Sequence, residues 1–132
     1  MAAEQMPLGL RRKDGILIRV TRRWREARDR AAPVQPILAR LLDHGSDAVL
    51  APVYDSLLRL YELALGRPIR TGKQALSIDE ARLIGLLNGT LQPRHCAGCP
   101  RAVANAFDCA LCSARVMIGL SEGAAAPVPR RS

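Results

Sequence analysis

From Pro33 to Gly89 the chain is divided by helix breakers into three apolar segments, each with its aliphatic residues at helical spacing. In the first, Ile37, Leu38, Leu41 and Leu42 form one stripe that Gly45 stops. Pro36 suits the first helical position, where a missing N–H costs nothing. The second opens at Ser46, a candidate N-cap, and runs to about Leu65, with Val53, Leu57, Leu60, Tyr61 and Ala64 on one face. Pro52 must lie in its first turn or kink it, and Gly66-Arg67-Pro68 terminates it. After the loop RTGKQAL, the sequence Ser77-Ile78-Asp79-Glu80 has the form of a capping box. The Ser77 hydroxyl accepts from the Glu80 N–H, and the Glu80 carboxylate accepts from the Ser77 N–H. This third helix turns Ala81, Ile84 and Leu87 inward and ends at Asn88-Gly89.

Such segments in a chain of 132 residues predict one domain. With 48% hydrophobic but only 3% aromatic residues, its core must be built from Leu, Ile, Val and Ala, which favours helix packing over a sheet sandwich. Upstream, GILIRV (15–20) is short and β-branched and predicts a strand or an extended lead-in. Thr21 is a candidate N-cap for an exposed helix ending at Pro33. In it Glu26 stands four residues from both Arg22 and Arg30, and Asp29 four from Arg25. The expected fold class is all-α: a small helical bundle of about four helices with a C-terminal four-cysteine metal knuckle. Residues 1–14 are expected to be a disordered N-terminal segment and 15–120 a single helical domain. That domain includes a basic arm (15–32) and the knuckle (95–112), and 121–132 form a flexible tail. No internal repeat is present.

The knuckle is HCAGCPRAVANAFDCALC, residues 95–112, which holds every cysteine of the chain: Cys96, Cys99, Cys109 and Cys112. In C-x2-C-x9-C-x2-C the first pair turns at Gly98 and the second shares a helix face at i and i+3. Four thiolates complete the tetrahedral shell that zinc prefers, so zinc is the expected cofactor, with a structural role. Geometry sets one condition. If Pro100 starts a single helix through Leu120, Cys99 and Cys109 lie about 15 Å apart, too far for one metal. A shared site needs a break between residues 101 and 108, for which Asn105 and Asp108 offer N-caps. An iron–sulfur cluster, or buried or redox-paired thiols on an unbroken helix, are the alternatives. His95 is either a substitute ligand, an outer-shell donor or simply exposed, and His44 neighbours a helix end.

Arg11, Arg12 and Lys13 interrupt any secretory apolar core after Met1, and no run approaches the roughly 20 apolar residues needed to span a bilayer. A cytoplasmic location without a membrane partner is therefore expected. In such a reducing compartment, clustered cysteines serve as ligands rather than disulfides.

The net charge of +8 is uneven. Arg11, Arg12, Lys13, Arg19, Arg22, Arg23, Arg25, Arg28 and Arg30 outnumber the acids of residues 1–30 by five, whereas residues 31–129 are nearly neutral. The arm is the candidate nucleic-acid-binding element, a solvated salt-bridged helix face being the plain alternative. Trp24 is either a stacking platform for unpaired bases or a core anchor. Removing residues 1–30 is expected to leave the body folded. A helix-turn-helix around LLDHGSDAV is rejected, because DAVLAPVYDS has a proline and no basic group to meet phosphate. Gly66 and Gly72 lack the context of a phosphate loop. A closed four-ligand zinc leaves no position to activate water, and no catalytic Ser/His/Asp or Cys/His arrangement is evident, so no enzyme is expected. Two classes follow: a regulatory or accessory zinc protein binding DNA or RNA through the arm, or an adaptor binding a protein partner in a helical groove. An iron–sulfur or redox protein is third.

Overall fold

The computed structural model describes residues 12–42, 47–93 and 99–125. Among these residues there are five α-helices and no strand: α1 (Arg12–Asp29), α2 (Val34–Leu41), α3 (Ala51–Leu65), α4 (Ile78–Asn88) and α5 (Arg101–Ala125), with a 3₁₀ turn at Asp47–Leu50 before α3. The all-α expectation holds, with one helix more than expected.

The largest departure is in the N-terminal segment, where the helix expected from Thr21 already starts at Arg12. GILIRV is not a strand or lead-in but the middle of α1, and Thr21 is not a cap. Leu17, Thr21 and Trp24 recur at helical spacing and are buried together with Ile18, Val20 and Ala27. This burial overrides the β preference of the branched residues, because a helix gains stability chiefly from packing its apolar face. Within α1 the Thr21 hydroxyl donates to the Leu17 carbonyl at 2.8 Å, which satisfies it inside the core. Residues 12–14, expected to precede the helical part of the chain, are the first turn of α1.

α1 closes on a left-handed residue, Ala31 (φ 54°). The Ala32 N–H donates to the Ala27 carbonyl at 2.8 Å and the Ala31 N–H to the Arg28 carbonyl at 3.1 Å, the two bonds of a Schellman turn. Pro33 then caps α2 in extended conformation, and Pro36 falls at the third helical position rather than the first, still among the N–H groups that have no intrahelical partner. α3 starts at Ala51 with Pro52 in its first turn and ends at Gly66 (φ 75°). Ser46 lies outside the described residues, and the helix it was expected to cap begins five residues later. The capping box of α4 is present in full, with Gly89 (φ 84°) at its end. Leu83, Ile84 and Leu86 are buried there, whereas Ala81, expected inward, is exposed.

α5 lies along α3, where the Phe107 and Tyr61 rings stack with centroids 5.5 Å apart. Phe107, Leu111 and Ala114 form its core-facing side. Arg115 turns back to donate to the carbonyls of Leu86 (2.6 Å) and Leu87 (3.1 Å), so a cation closes the negative end of α4. α5 continues to Ala125, beyond the expected end of the domain at residue 120.

Candidate functional site

Two places were expected to carry function: the cysteine segment and the basic N-terminal arm. In the first, Ala102, Ala104, Ala106 and Ala110 favour helix, and the Phe107–Leu111–Ala114 stripe binds that helix to α3. α5 therefore runs without a break through residues 101–108, and Asn105 and Asp108 are internal residues rather than caps. Cys99 precedes the helix, half-buried, its thiol 3.6 Å from the Pro100 carbonyl. Cys109 follows ten residues later, and α5 rises about 12 Å between Arg101 and Cys109. Cys109 and Cys112 are exposed free thiols on the outer side of α5. Cys96 and His95 lie outside the described residues, as does His44.

This arrangement does not fit a zinc ion shared by Cys99, Cys109 and Cys112. Among the described residues no group of three or more His, Cys, Asp or Glu side chains is placed to hold a metal. The condition for a single-chain knuckle, a break before Asp108, is not met.

The arm is not an arm. α1 is a core helix, and its arginines divide according to the face they occupy. Arg22 donates through Nε and Nη2 to the two oxygens of Glu80 (2.8 and 3.0 Å), and also to the carbonyls of Lys73 (3.1 Å) and Ala75 (3.3 Å). The hydrogen bond to Glu80 raises the Arg22 guanidinium above its ordinary pKa against the opposing effect of burial. Arg25 pairs with Glu62 on α3 and, at 2.8 Å, with Asp29. Burial works against its charge, but these carboxylates outweigh it and raise its pKa. Both arginines fasten α1 to the rest of the fold. Trp24 is a core anchor, fully buried, its indole N–H donating to Asp55 at 2.8 Å. Arg19, Arg23, Arg28 and Arg30 are exposed. Glu26 meets Arg23 at 3.8 Å instead of the expected Arg22 and Arg30. Arg11 lies outside the described residues, and Arg12 and Lys13 are in the first turn of α1.

The sequence reading missed a pair of anionic hubs. Glu80 is completely buried and, besides closing the capping box, accepts from the Gly72 N–H (3.1 Å) and from Arg22. Asp79 accepts a two-pronged bond from Arg67 (2.6 and 2.8 Å) and one from the Arg70 N–H (2.8 Å). These bonds, foremost those from Arg67, hold the Asp79 carboxyl below its ordinary pKa. Next to them, Tyr61 donates to the Asp79 carbonyl at 2.8 Å, and its phenol is raised well above the usual range by burial and by the Asp79 charge. The hubs wire the loop between α3 and α4 to α1. They are architectural, since every oxygen is engaged with the protein.

The outer side of α5 is a further exposed surface among the described residues. Counting about 100° per residue, Ala102, Asn105, Cys109, Cys112, Val116 and Leu120 fall in a sector of about 80° opposite the core stripe. All six are exposed and none is charged, although 24% of the chain is charged. Val116 is 59% and Leu120 65% exposed. Contrary to the expectation that no run approaches the length of a membrane span, the same composition makes Arg101–Leu120 long and apolar enough to cross a membrane by length and mean hydropathy (1.4), while its inner side packs on the bundle. A groove of about 370 Å³ also opens between α3, α4 and α5, with Tyr61, Leu86 and Phe107 in its lining and Arg82 at its edge.

No protein-family model, no curated protein and no solved structure matches the chain.

Proposed function

We propose that this chain is a small, non-catalytic protein-interaction module whose contact surface is the outer side of α5. The observation that carries it is the uncharged sector from Ala102 to Leu120, with Val116 and Leu120 in water. Isolated exposed aliphatic residues are ordinary, but a continuous uncharged helix face with two large aliphatics marks a surface built to be covered. No step of chemistry is assigned to it.

A second reading keeps nucleic acid as the partner, because Arg23, Arg28 and Arg30 are exposed on α1 or just beyond it. Arg22 and Arg25, engaged with Glu80 and Glu62, drop out of that site. Three phosphate contacts give a slope of log affinity against log salt of about −2.7 on duplex DNA.

One experiment separates the two. The immobilised protein is offered extracts and labelled oligonucleotides, alongside a Val116→Asp/Leu120→Asp variant and an Arg23→Glu/Arg30→Glu variant. The module requires that protein capture be lost with the α5 variant and kept with the α1 variant. Salt-sensitive oligonucleotide binding lost only with the α1 variant selects the second reading. Capture unaffected by the α5 variant overturns the first.

A further inference from the structure

We infer that Cys109 and Cys112 form half of a zinc site that a second copy of this chain completes. The inference rests on the interaction-module reading and names its partner: another molecule of the same protein, related by a two-fold axis.

The first ground is ligand count. Cys109 and Cys112 stand one helical turn apart on the same side of α5, so their β-carbons are neighbours at about 5–6 Å. Both thiols are exposed and free. Zinc takes four ligands in a closed tetrahedral site and binds thiolate strongly. One chain offers two thiols on this face, and the described residues bring no third ligand to them. Cys99 precedes α5, and about 12 Å of helical rise separates Arg101, at that end of the helix, from Cys109. The described residues of one chain do not supply the other two ligands, and a two-fold axis between Cys109 and Cys112 supplies an identical pair. In an antiparallel crossing of two α5 helices, each Cys109 then meets the partner's Cys112.

The second ground is charge. A chain of net charge +8 repels its own copy, so self-association needs a face from which charge is excluded. The sector around the two thiols is such a face. Asn105 and Ala102 lie on one side of the pair, Val116 and Leu120 on the other, and the charged side chains of residues 101–120 (Arg101, Asp108 and Arg115) fall outside the sector. Arg115 is in addition committed to the carbonyls of Leu86 and Leu87. Helices packed across small residues approach to about 8–10 Å between axes, which leaves room for the cysteine side chains and one ion. A two-fold contact uses the same patch on both copies, and this patch is uniform enough to serve on both sides.

Binding requires four thiols to become thiolates, so four protons leave as one zinc ion enters, with no change of oxidation state. The product is two chains and one zinc.

The test uses the full chain, purified under reducing conditions and loaded with zinc, and reads zinc content and native mass together. The expected result is one zinc per two chains in a dimer. A chelator should return the dimer to monomers, and cobalt in place of zinc should show the absorption of a four-thiolate tetrahedral centre. Cys109→Ser/Cys112→Ser should lose both zinc and dimer, whereas Cys96→Ser/Cys99→Ser should keep both. One zinc per chain in a monomer, lost with either double variant, overturns the inference in favour of a single-chain knuckle. A brown iron-containing protein, or a chain that binds no zinc, also overturns it. Failure of the zinc site is distinguishable from failure of the module reading: a metal-free dimer, or capture of another protein, that Val116→Asp/Leu120→Asp abolishes keeps the module and removes only the zinc.

Discussion

The guanidinium of Arg22 in α1 grips the carboxylate of Glu80 in α4 through two hydrogen bonds across 58 residues of sequence. Glu80 is fully buried and Arg22 about one-quarter exposed, so the pair sits where the protein shields one charge and water reaches the other. Removing one member of such a pair costs more than the pair contributes, because the partner is left buried and uncompensated. Arg22→Ala should therefore destabilise the fold by about 3 kcal/mol, the lower end of the range for buried pairs, since water reaches the vacated position. Glu80→Ala removes the capping bond and the Gly72 contact as well, and should cost about as much or more. Urea denaturation of both variants measures these losses; a change below about 1 kcal/mol would mean that the bridge is a surface pair.

The acid limb of stability should report Asp79 and Asp55. Arg67 holds the Asp79 carboxyl below its ordinary range. Burial opposes the charge of Asp55, but donation from Trp24, Arg59 and Gln35 outweighs it and lowers that carboxyl too. A carboxylate depressed in the folded state binds fewer protons there than in the unfolded chain, so its contribution is present at neutral pH. It is lost as pH falls through about 4, the unfolded value, towards the lower folded value. Denaturation midpoints should thus decline steadily below about pH 5. Arg67→Ala should lower stability at pH 7 and shrink the difference between pH 7 and pH 3.5. An undiminished difference would place the acid sensitivity elsewhere.

The capping box of α4, the glycine ends of α3 and α4, and the aliphatic stripes of the central segments were all legible in the sequence. Each is a local signal, readable within about four residues of itself. α1 was not, because the branched residues of GILIRV and the dense arginines resemble an extended lead-in followed by a solvated helix. Only the non-local burial of Ile18, Val20 and Trp24 decides otherwise. The same holds for Arg22 and Arg25, whose partners Glu80 and Glu62 are 58 and 37 residues away. The cysteine spacing was compatible with either a knuckle or a helix. Packing of Phe107, Leu111 and Ala114 on α3, invisible in the spacing itself, makes it a helix.

Deleting residues 1–30 should unfold the protein rather than trim it. The deletion removes Leu17, Ile18, Val20, Trp24 and Ala27 from the core, and takes one hydrogen-bonding partner each from Glu80, Glu62 and Asp55. Losing one large core side chain costs about 2–5 kcal/mol, and a domain commonly has only about 5–15 to lose. Circular dichroism should show that the truncated chain has no cooperative thermal transition. A sharp transition in residues 31–132 would show that α1 is an accessory helix. Charge reversal at exposed arginines, rather than truncation, is accordingly the sound way to probe the basic surface.

Ala31 is the one non-glycine residue with positive φ among the described residues, at 54°. The equivalent turns that end α3 and α4 place glycine there, at Gly66 and Gly89. A β-carbon in the left-handed region costs roughly 1–2 kcal/mol, which glycine avoids. Glycine in turn loses more backbone freedom on folding, by roughly 0.5–1 kcal/mol relative to alanine. The balance favours Ala31→Gly by about 0.5–1 kcal/mol. Ala31 is exposed, so no packing is lost with its methyl group. The Schellman bonds from the Ala31 and Ala32 N–H groups are backbone bonds that the substitution retains. Thermal and urea denaturation of Ala31→Gly should therefore both shift upward together. A downward shift would show that the chain reaches this turn without the strain its φ implies, and that the alanine serves by limiting the freedom of the unfolded chain.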